Sequence, residues 1–224
     1  MTMTLGAALF ACLALATLVA AAQPPAGLGT TLASELACPE FPRPAYTEYA
    51  RMARWLVHQT DWGVVSTLSR HLGGAPFGNV VSHADGPPCR PTGRLLFYLT
   101  IMDATAQDLQ RNATATLTLS EGQLAGACQG VDPEDPTCAK LSITGRLELV
   151  PKEGLEEARR LLFSRHPQMR DWPAGHTFRI YELHIATARL LDWYGGPHDI
   201  SPADYFAADP GAAGLAQEQA ATDA

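Results

Sequence analysis

Seven histidines, five cysteines and one N-x-T sequon are the side chains with which this chain of 224 residues could do chemistry. A metal site needs converging ligands. His166, His176, His184 and His198 have no ligand spacing, no helical His pair occurs, and no C-x-x-C is present, so no metal ligand is assigned. His58 and Asp61 flank a helix end; Asp61 is expected to cap a turn there and His58 to lie on the polar side of the helix. Neither G-x-S-x-G nor S-x-x-K occurs, and no Cys–His dyad stands out, so no catalytic residue is assigned. Walker and dinucleotide fingerprints are missing. In the run Gly73–Gly78, Pro76 removes a backbone donor that a phosphate cradle would use, so this run is read as a turn. Trp62, Phe97, Tyr98, Trp172, Trp193 and Tyr194 could line a flavin pocket, but aromatic residues more often fill a core or an interface. The histidines could also respond to pH in an acidic compartment.

The cysteines point to a compartment. Leu5–Ala20 is apolar, Ala20-Ala21-Ala22 fits an A-x-A cleavage pattern, and Gln23-Pro24-Pro25 stops a helix. The run is shorter than the ~20 residues of a spanning helix, so residues 1–22 read as a secretory signal peptide, with no membrane contact after cleavage. Cys12 falls inside it. Cys38, Cys89, Cys128 and Cys138 remain, and four cysteines allow three pairings. Cys128 and Cys138 flank a Pro- and Asp-rich loop that turns back on itself, which favours a local bridge. Cys38 then pairs with Cys89 by elimination, a long loop whose closure contributes about 4 kcal/mol in the chain-entropy model. Asn112-Ala113-Thr114 is a glycosylation sequon, which a secreted chain presents to the transferase. The formal net charge of -7 and the lack of a basic run exclude a nucleic-acid binder.

The elements that must position these residues alternate in period. Tyr46, Tyr49, Ala50, Ala53, Leu56 and Val57 recur at helical spacing, predicting a helix from about Pro44 to Thr60. Strands follow at Trp62–Ser69, Phe77–Ser82 and Leu95–Ile101, and residues 103–112 suit one short helix. In Thr114–Leu119 the threonines share one face and Ala115, Leu117 and Leu119 the other. In Leu141–Val150 the apolar face holds Leu141, Ile143, Leu147 and Leu149, with Gly145 among them marking a bend or bulge. A helix over Gly154–Arg165 and a long strand from Phe178 to about Trp193 complete the order. Ser201–Phe206 reads as one capped turn. Six or more short, mostly antiparallel strands with helices gathered outside them predict a β-barrel with flanking helices, an α+β fold.

These residues resemble the CREG family of secreted glycoproteins. The resemblance rests on DWGVVSTLS (Asp61–Ser69), PFGNVVSHADGPP (Pro76–Pro88), FYLT (Phe97–Thr100), NATATLTLSE (Asn112–Glu121), DPEDPTCAKLSITG (Asp132–Gly145), LLFSRHPQM (Leu161–Met169) and LLDWYGGPHDISPADYF (Leu190–Phe206). It implies the split barrel of FMN-binding pyridoxamine-phosphate-oxidase relatives as a homodimer, secreted or in the endosomal–lysosomal lumen, and glycosylated. It also implies a non-catalytic protein that acts through protein–protein contacts in growth or differentiation control, with no cofactor. The family's local cysteine pair matches Cys128 and Cys138, whereas a Cys38–Cys89 bridge would be particular to this chain. The alternative is an FMN- or haem-dependent oxidoreductase on the same fold. A flavin phosphate would then meet Ser66, Thr67, Ser69 or Ser82, with Arg70 as the nearby cation, a thin positive charge for tight binding. The expected division is a signal peptide over 1–22, an extended arm over 23–44, the barrel domain over 45–206 and a disordered tail over 207–224.

Overall fold

A computed structural model describes Cys38 and residues 41–211; the signal-peptide reading of residues 1–22, most of the arm, and residues 212–224 lie outside the described part. The elements are α1 (Tyr49–Gln59), β1 (Trp62–Leu68), β2 (Pro76–Ala84), β3 (Leu96–Thr100), α2 (Ala104–Leu109), β4 (Thr114–Ser120), β5 (Lys140–Leu149), α3 (Leu155–Arg165), β6 (Phe178–Leu191), β7 (His198–Ile200) and α4 (Pro202–Ala207).

All strand pairs are antiparallel. Neighbours run β3-β2-β1-β4-β5-β6, and pairing of β3 with β6 closes six strands into a barrel. The long strand β6 makes closure possible. One of its edges pairs with β5 from Tyr181 to Leu191. Its other edge takes β3 over Phe178–Glu182 and then β7 over Ala188–Leu190. β2 meets β3 only at His83–Phe97 and Ala84–Leu96, so its edge over Pro76–Ser82 has no strand partner among the described residues.

Alternation explains the burial. In β4, Ala115, Leu117 and Leu119 are buried and the threonines are not, as period-two side chains on a sheet with one covered face require. β3 is apolar on both faces because both are covered. Phe97 and Leu99 join Met52, Leu56 and Val57 of α1 in the main core with Leu117, Leu141 and Ile143. Leu96 faces the other way, onto Leu161, Leu162 and Phe163 of α3, with Ile180 and Met169. The register slips between Thr144 and Gly145, where the chain opposite skips Ala186. The bulge lies on β6 at Ala186, directly opposite Gly145, whose place on an apolar face marked a bend or bulge here.

Two elements differ from the sequence expectation. The first helix begins at Tyr49, because Ala45–Glu48 closes a turn in which the Glu48 N–H donates to Ala45 O at 2.9 Å. The short strand β7 was not foreseen; three residues after a Gly-Gly turn carry too little pattern to show a period. Ser201 caps α4 as read, its Oγ accepting the Asp204 N–H at 3.1 Å. Both disulfides are present, Cys38–Cys89 and Cys128–Cys138. The first fastens the arm beside α1, where the Trp55 Nε1–H donates to Phe41 O at 2.7 Å. The chain stays packed past Ala207, since Ala208 O accepts from Arg54 Nη1 at 3.0 Å.

Candidate functional site

Three places gather polar or aromatic groups. The first lies at the end of α1. His58 is not on a polar face: it is 3% exposed. Its Nδ1 lies 2.9 Å from Asp85 Oδ1 and its Nε2 2.9 Å from Pro88 O. The cause is tertiary. The loop after β2 folds back over the helix end, tied by the Thr92 N–H to Asp85 O at 2.8 Å and by the Cys38–Cys89 bridge. Asp61 instead pairs with Arg165, whose Nη2 is 2.6 Å from Asp61 Oδ1 and also donates to His58 O at 2.9 Å. Beneath lies His83, fully buried, whose ring pairs with Val57 O at 3.2 Å. Burial pushes its pKa down to about 4, against the smaller opposing pull of the Val57 hydrogen bond and of Asp85. His166 closes the group through Nε2 to His83 O at 2.7 Å.

A cleft of about 540 Å³ opens here, lined by Phe41, His58, Asp61, Ser164 and Arg165 among others. Its groups are spent on structure. Both His58 nitrogens face acceptors, and the Ser164 hydroxyl donates to Leu161 O at 2.6 Å, so Ser164 is not held against a base as a nucleophile would be. Leaving a buried hydrogen-bonding group without its partner costs about 1–3 kcal/mol. Asp85→Ala is therefore expected to lose about that much in urea unfolding; a loss below about 1 kcal/mol would show that the pair carries no such weight.

Two of the four hydroxyls that would meet a flavin phosphate, those of Thr67 and Ser69, are engaged elsewhere. Thr67 Oγ1 donates to Asp108 Oδ2 at 2.7 Å, and the Arg70 backbone N–H donates to Asp108 Oδ1 at 2.7 Å. Ser69 Oγ accepts the Leu72 N–H at 3.2 Å. Ser66 is half-buried in mid-strand, opposite Gly78 and Thr116. Ser82 lines a shallow cleft of about 200 Å³ with Val80, Tyr98, Asp103, Trp172 and Phe178. The charge in that cleft is the Asp103 carboxylate, held by Asn79 Nδ2 at 2.9 Å and the Thr105 N–H at 2.8 Å. A carboxylate repels a phosphate, so these residues do not fit a flavin phosphate, and no step is derived through such a group.

The aromatic residues separate. Phe97 is core, and Trp62 stands exposed. Tyr98 stacks with Phe178 (4.9 Å, 22°) and Trp172 (5.9 Å, 29°). Trp193 stacks on Tyr46 (4.8 Å, 19°), with Tyr194 edge-on to it. This last pair walls the third place, a cleft of about 260 Å³ lined also by Arg43, Glu121, Cys128, Val131 and Thr137. Arg43 grips Glu121 bidentately, Nε at 2.6 Å and Nη2 at 2.9 Å, and Glu121 Oε2 also accepts the Ala139 N–H at 3.0 Å. Asp192, the residue before Trp193, is 1% exposed, and neither of its carboxylate oxygens has a partner. Burial raises its pKa to about 6, against Arg43 and His198, which pull it down. Sequence reading missed Asp192; an Asp inside an apolar run, LLDWY, was the available signal. Among the described residues no group of three or more His, Cys, Asp or Glu is placed to hold a metal, and no helix is long and apolar enough to cross a membrane.

The family model described as "CREG, beta-barrel" matches residues 44–207. The mouse protein CREG2 is 42% identical over 168 residues, covering 72% of this chain and 57% of that protein. Human protein CREG1 is 36% identical over 169 residues, covering 74% of this chain and 76% of that one. The chain thus spans little more than half the length of CREG2. Among solved structures, a heme binding protein from Mycobacterium smegmatis superposes with a TM-score of 0.59 at 18% identity, covering 71% of this chain and 60% of that one. A protein of unknown function from Agrobacterium tumefaciens gives 0.55 at 20% identity, covering 76% and 64%. At such identities the likeness is one of fold.

Proposed function

This chain belongs to the CREG β-barrel family, and on that premise we propose that it is a non-catalytic glycoprotein, secreted or held in the endosomal–lysosomal lumen, that acts in growth or differentiation control through protein–protein contacts. The observation that carries this reading is the cleft of Tyr46, Trp193 and the Arg43–Glu121 pair. Exposed Trp, Tyr and Arg side chains on a stapled wall are the residue types that dominate binding at protein interfaces. Two disulfides support an oxidising compartment rather than the cytosol. Asn112, half-buried just before β4, is the proposed glycan site. Self-association is part of the same proposal. Val80, Ile101, Met102 and Trp172 are exposed apolar side chains on or beside β2 and β3, a surface that a second copy of the chain would cover.

One purified sample tests these statements. Its absorbance is expected to show no stoichiometric band near the flavin region of about 450 nm and no haem band. Light scattering is expected to give twice the chain mass, and glycosidase treatment to lower the mass. A stoichiometric flavin or haem band would replace this reading with an oxidoreductase on the same barrel. A monomer mass, or a mass unchanged by glycosidase, would overturn the dimer or the glycan separately.

A further inference from the structure

We propose that the cleft between the β1–β2 turn and the end of α2 binds a tetrahedral oxyanion, a phosphate or sulfate group, between Arg70 and Arg111. This cleft, of about 390 Å³, is lined by Leu68, Ser69, Arg70, Gly73, Gly74, Arg111 and Asn112.

Arg70 and Arg111 are set apart by sharing one cleft. On a chain of net charge -7, carboxylates are in excess, and Arg43, Arg94, Arg146, Arg159, Arg165 and Arg189 all find one. The guanidinium groups of Arg70, Arg90, Arg111 and Arg179 have no hydrogen-bond or ion-pair partner among the described residues, and of these four Arg70 and Arg111 line the same cleft. An oxyanion in the cleft would be met by both guanidinium groups through charge-assisted hydrogen bonds.

Their backbones are fixed by one buried residue. Asp108 accepts the Arg70 N–H on Oδ1 at 2.7 Å, and its main-chain oxygen accepts the N–H groups of Arg111 at 2.9 Å and Asn112 at 3.0 Å. Its other carboxylate oxygen is taken by Thr67. Asp108 therefore joins the turn after β1, which carries Arg70, to the chain just past α2, which carries Arg111. Its charge is met by two internal donors, leaving the two guanidinium groups to the cleft. The far wall is equally defined. Gly73 and Gly74 hold φ of 67° and 97°, and the Gly74 N–H donates to Ser69 O at 2.7 Å. A turn of two left-handed residues leaves the cleft mouth without side chains.

The lining also restricts the ligand. Leu68 is its one large apolar side chain, so an isoalloxazine or another extended ring would find no wall to stack on. A small anion, or an anionic group on a polar carrier such as a sulfated sugar, matches the lining. Asn112 shares the cleft, and a glycan on its Nδ2 would compete with the anion for the same space.

The test uses the full secreted chain carrying Thr114→Ala, which removes the sequon and leaves Asn112 in place. Calorimetric titration with inorganic phosphate, at constant ionic strength balanced with chloride, is compared with titration by a sulfated heparin disaccharide. Saturable binding is expected for at least one of the two. Arg70→Gln and Arg111→Gln are each expected to weaken it severalfold, and the double variant at least tenfold. Because both side chains are exposed, urea midpoints should not move, and the Arg→Lys pair, which keeps both charges, is expected to stay within severalfold of the parent. Tighter binding of the disaccharide assigns the anion to a carbohydrate sulfate, and tighter binding of phosphate assigns it to a free phosphate. No saturable binding of either, or equal binding by the double Gln variant, overturns the proposal.

Discussion

Gly145→Ala is expected to abolish the native barrel. A methyl group at this position would sit inside the van der Waals envelope of His184 O, and 3.1 Å from the Ala186 nitrogen. Both are backbone atoms of the neighbouring strand, so no side chain can rotate away. The strands would have to part where β5 pairs with β6, the ladder that runs from Lys140–Leu191 to Leu149–Tyr181. β6 also closes the barrel through β3, so parting it from β5 opens the ring and exposes the core of Leu117, Leu141, Ile143 and Leu147. Overpacking of ordinary cores costs about 1–3 kcal/mol; a backbone clash at a closing strand should exceed about 4 kcal/mol, a large part of the stability of a domain. The readouts are the yield of secreted protein and the urea midpoint. A folded Gly145→Ala variant within about 1 kcal/mol of the parent would show that the bulge relaxes freely.

The second large effect concerns two buried groups whose protons act in opposite directions. The folded pKa of His83, about 4, lies below its ordinary value of 6.5. Its contribution to stability is present above pH 6.5. It is lost as pH falls toward 4, because the unfolded chain takes up a proton that the folded ring refuses. That window corresponds to about 3 kcal/mol. The folded pKa of Asp192, about 6, lies above its ordinary 3.8. Its contribution is present below 3.8 and is lost as pH rises through 6. Between about pH 4 and 6 the two slopes oppose each other.

Asp192→Asn should therefore stabilise the protein by on the order of 2 kcal/mol at pH 7, where the buried carboxylate is charged and unpartnered, and by almost nothing at pH 3.5. Its stability should also fall more steeply in acid than that of the parent, since the His83 slope is no longer offset. His83→Gln keeps a donor for Val57 O and removes the acid slope. Urea midpoints at pH 7, 5 and 4 for the parent and both variants check the set. Parallel pH profiles for all three chains would show that neither group titrates as its burial requires.

His83 and Asp192 were beyond sequence reading for the same reason as His58. The alternation in Pro76–Ala84 shows that His83 shares a face with Val81, but not that α1 covers that face. Asp192 ends a strand and could as well have been a surface turn residue. The partner of His58 is 27 residues away at Asp85, and the nearer Asp61, expected to cap a turn, pairs with Arg165. The phosphate question divides in the same way. The hydroxyls of Thr67 and Ser69 are visible in the sequence, but the Asp108 carboxylate that takes Thr67 is not.

What the sequence by itself determined is local or cumulative. Period two in Thr114–Leu119 and Leu141–Val150 set which face is buried, because successive strand side chains must point to opposite sides. A glycine on an apolar face, Gly145, marked the bulge opposite it. Short motifs from Asp61 to Phe206 accumulated into a family and hence a barrel with flanking helices. Tertiary structure alone decided which strand edges meet, that β6 serves β3 and then β7, and that Asp108 joins Arg70 to Arg111. It also decided that the aromatic residues divide between two surfaces. The physical reason is that periodicity reports the environment of a face, whereas a site is made by pairings between distant segments, and those are fixed only when the barrel closes.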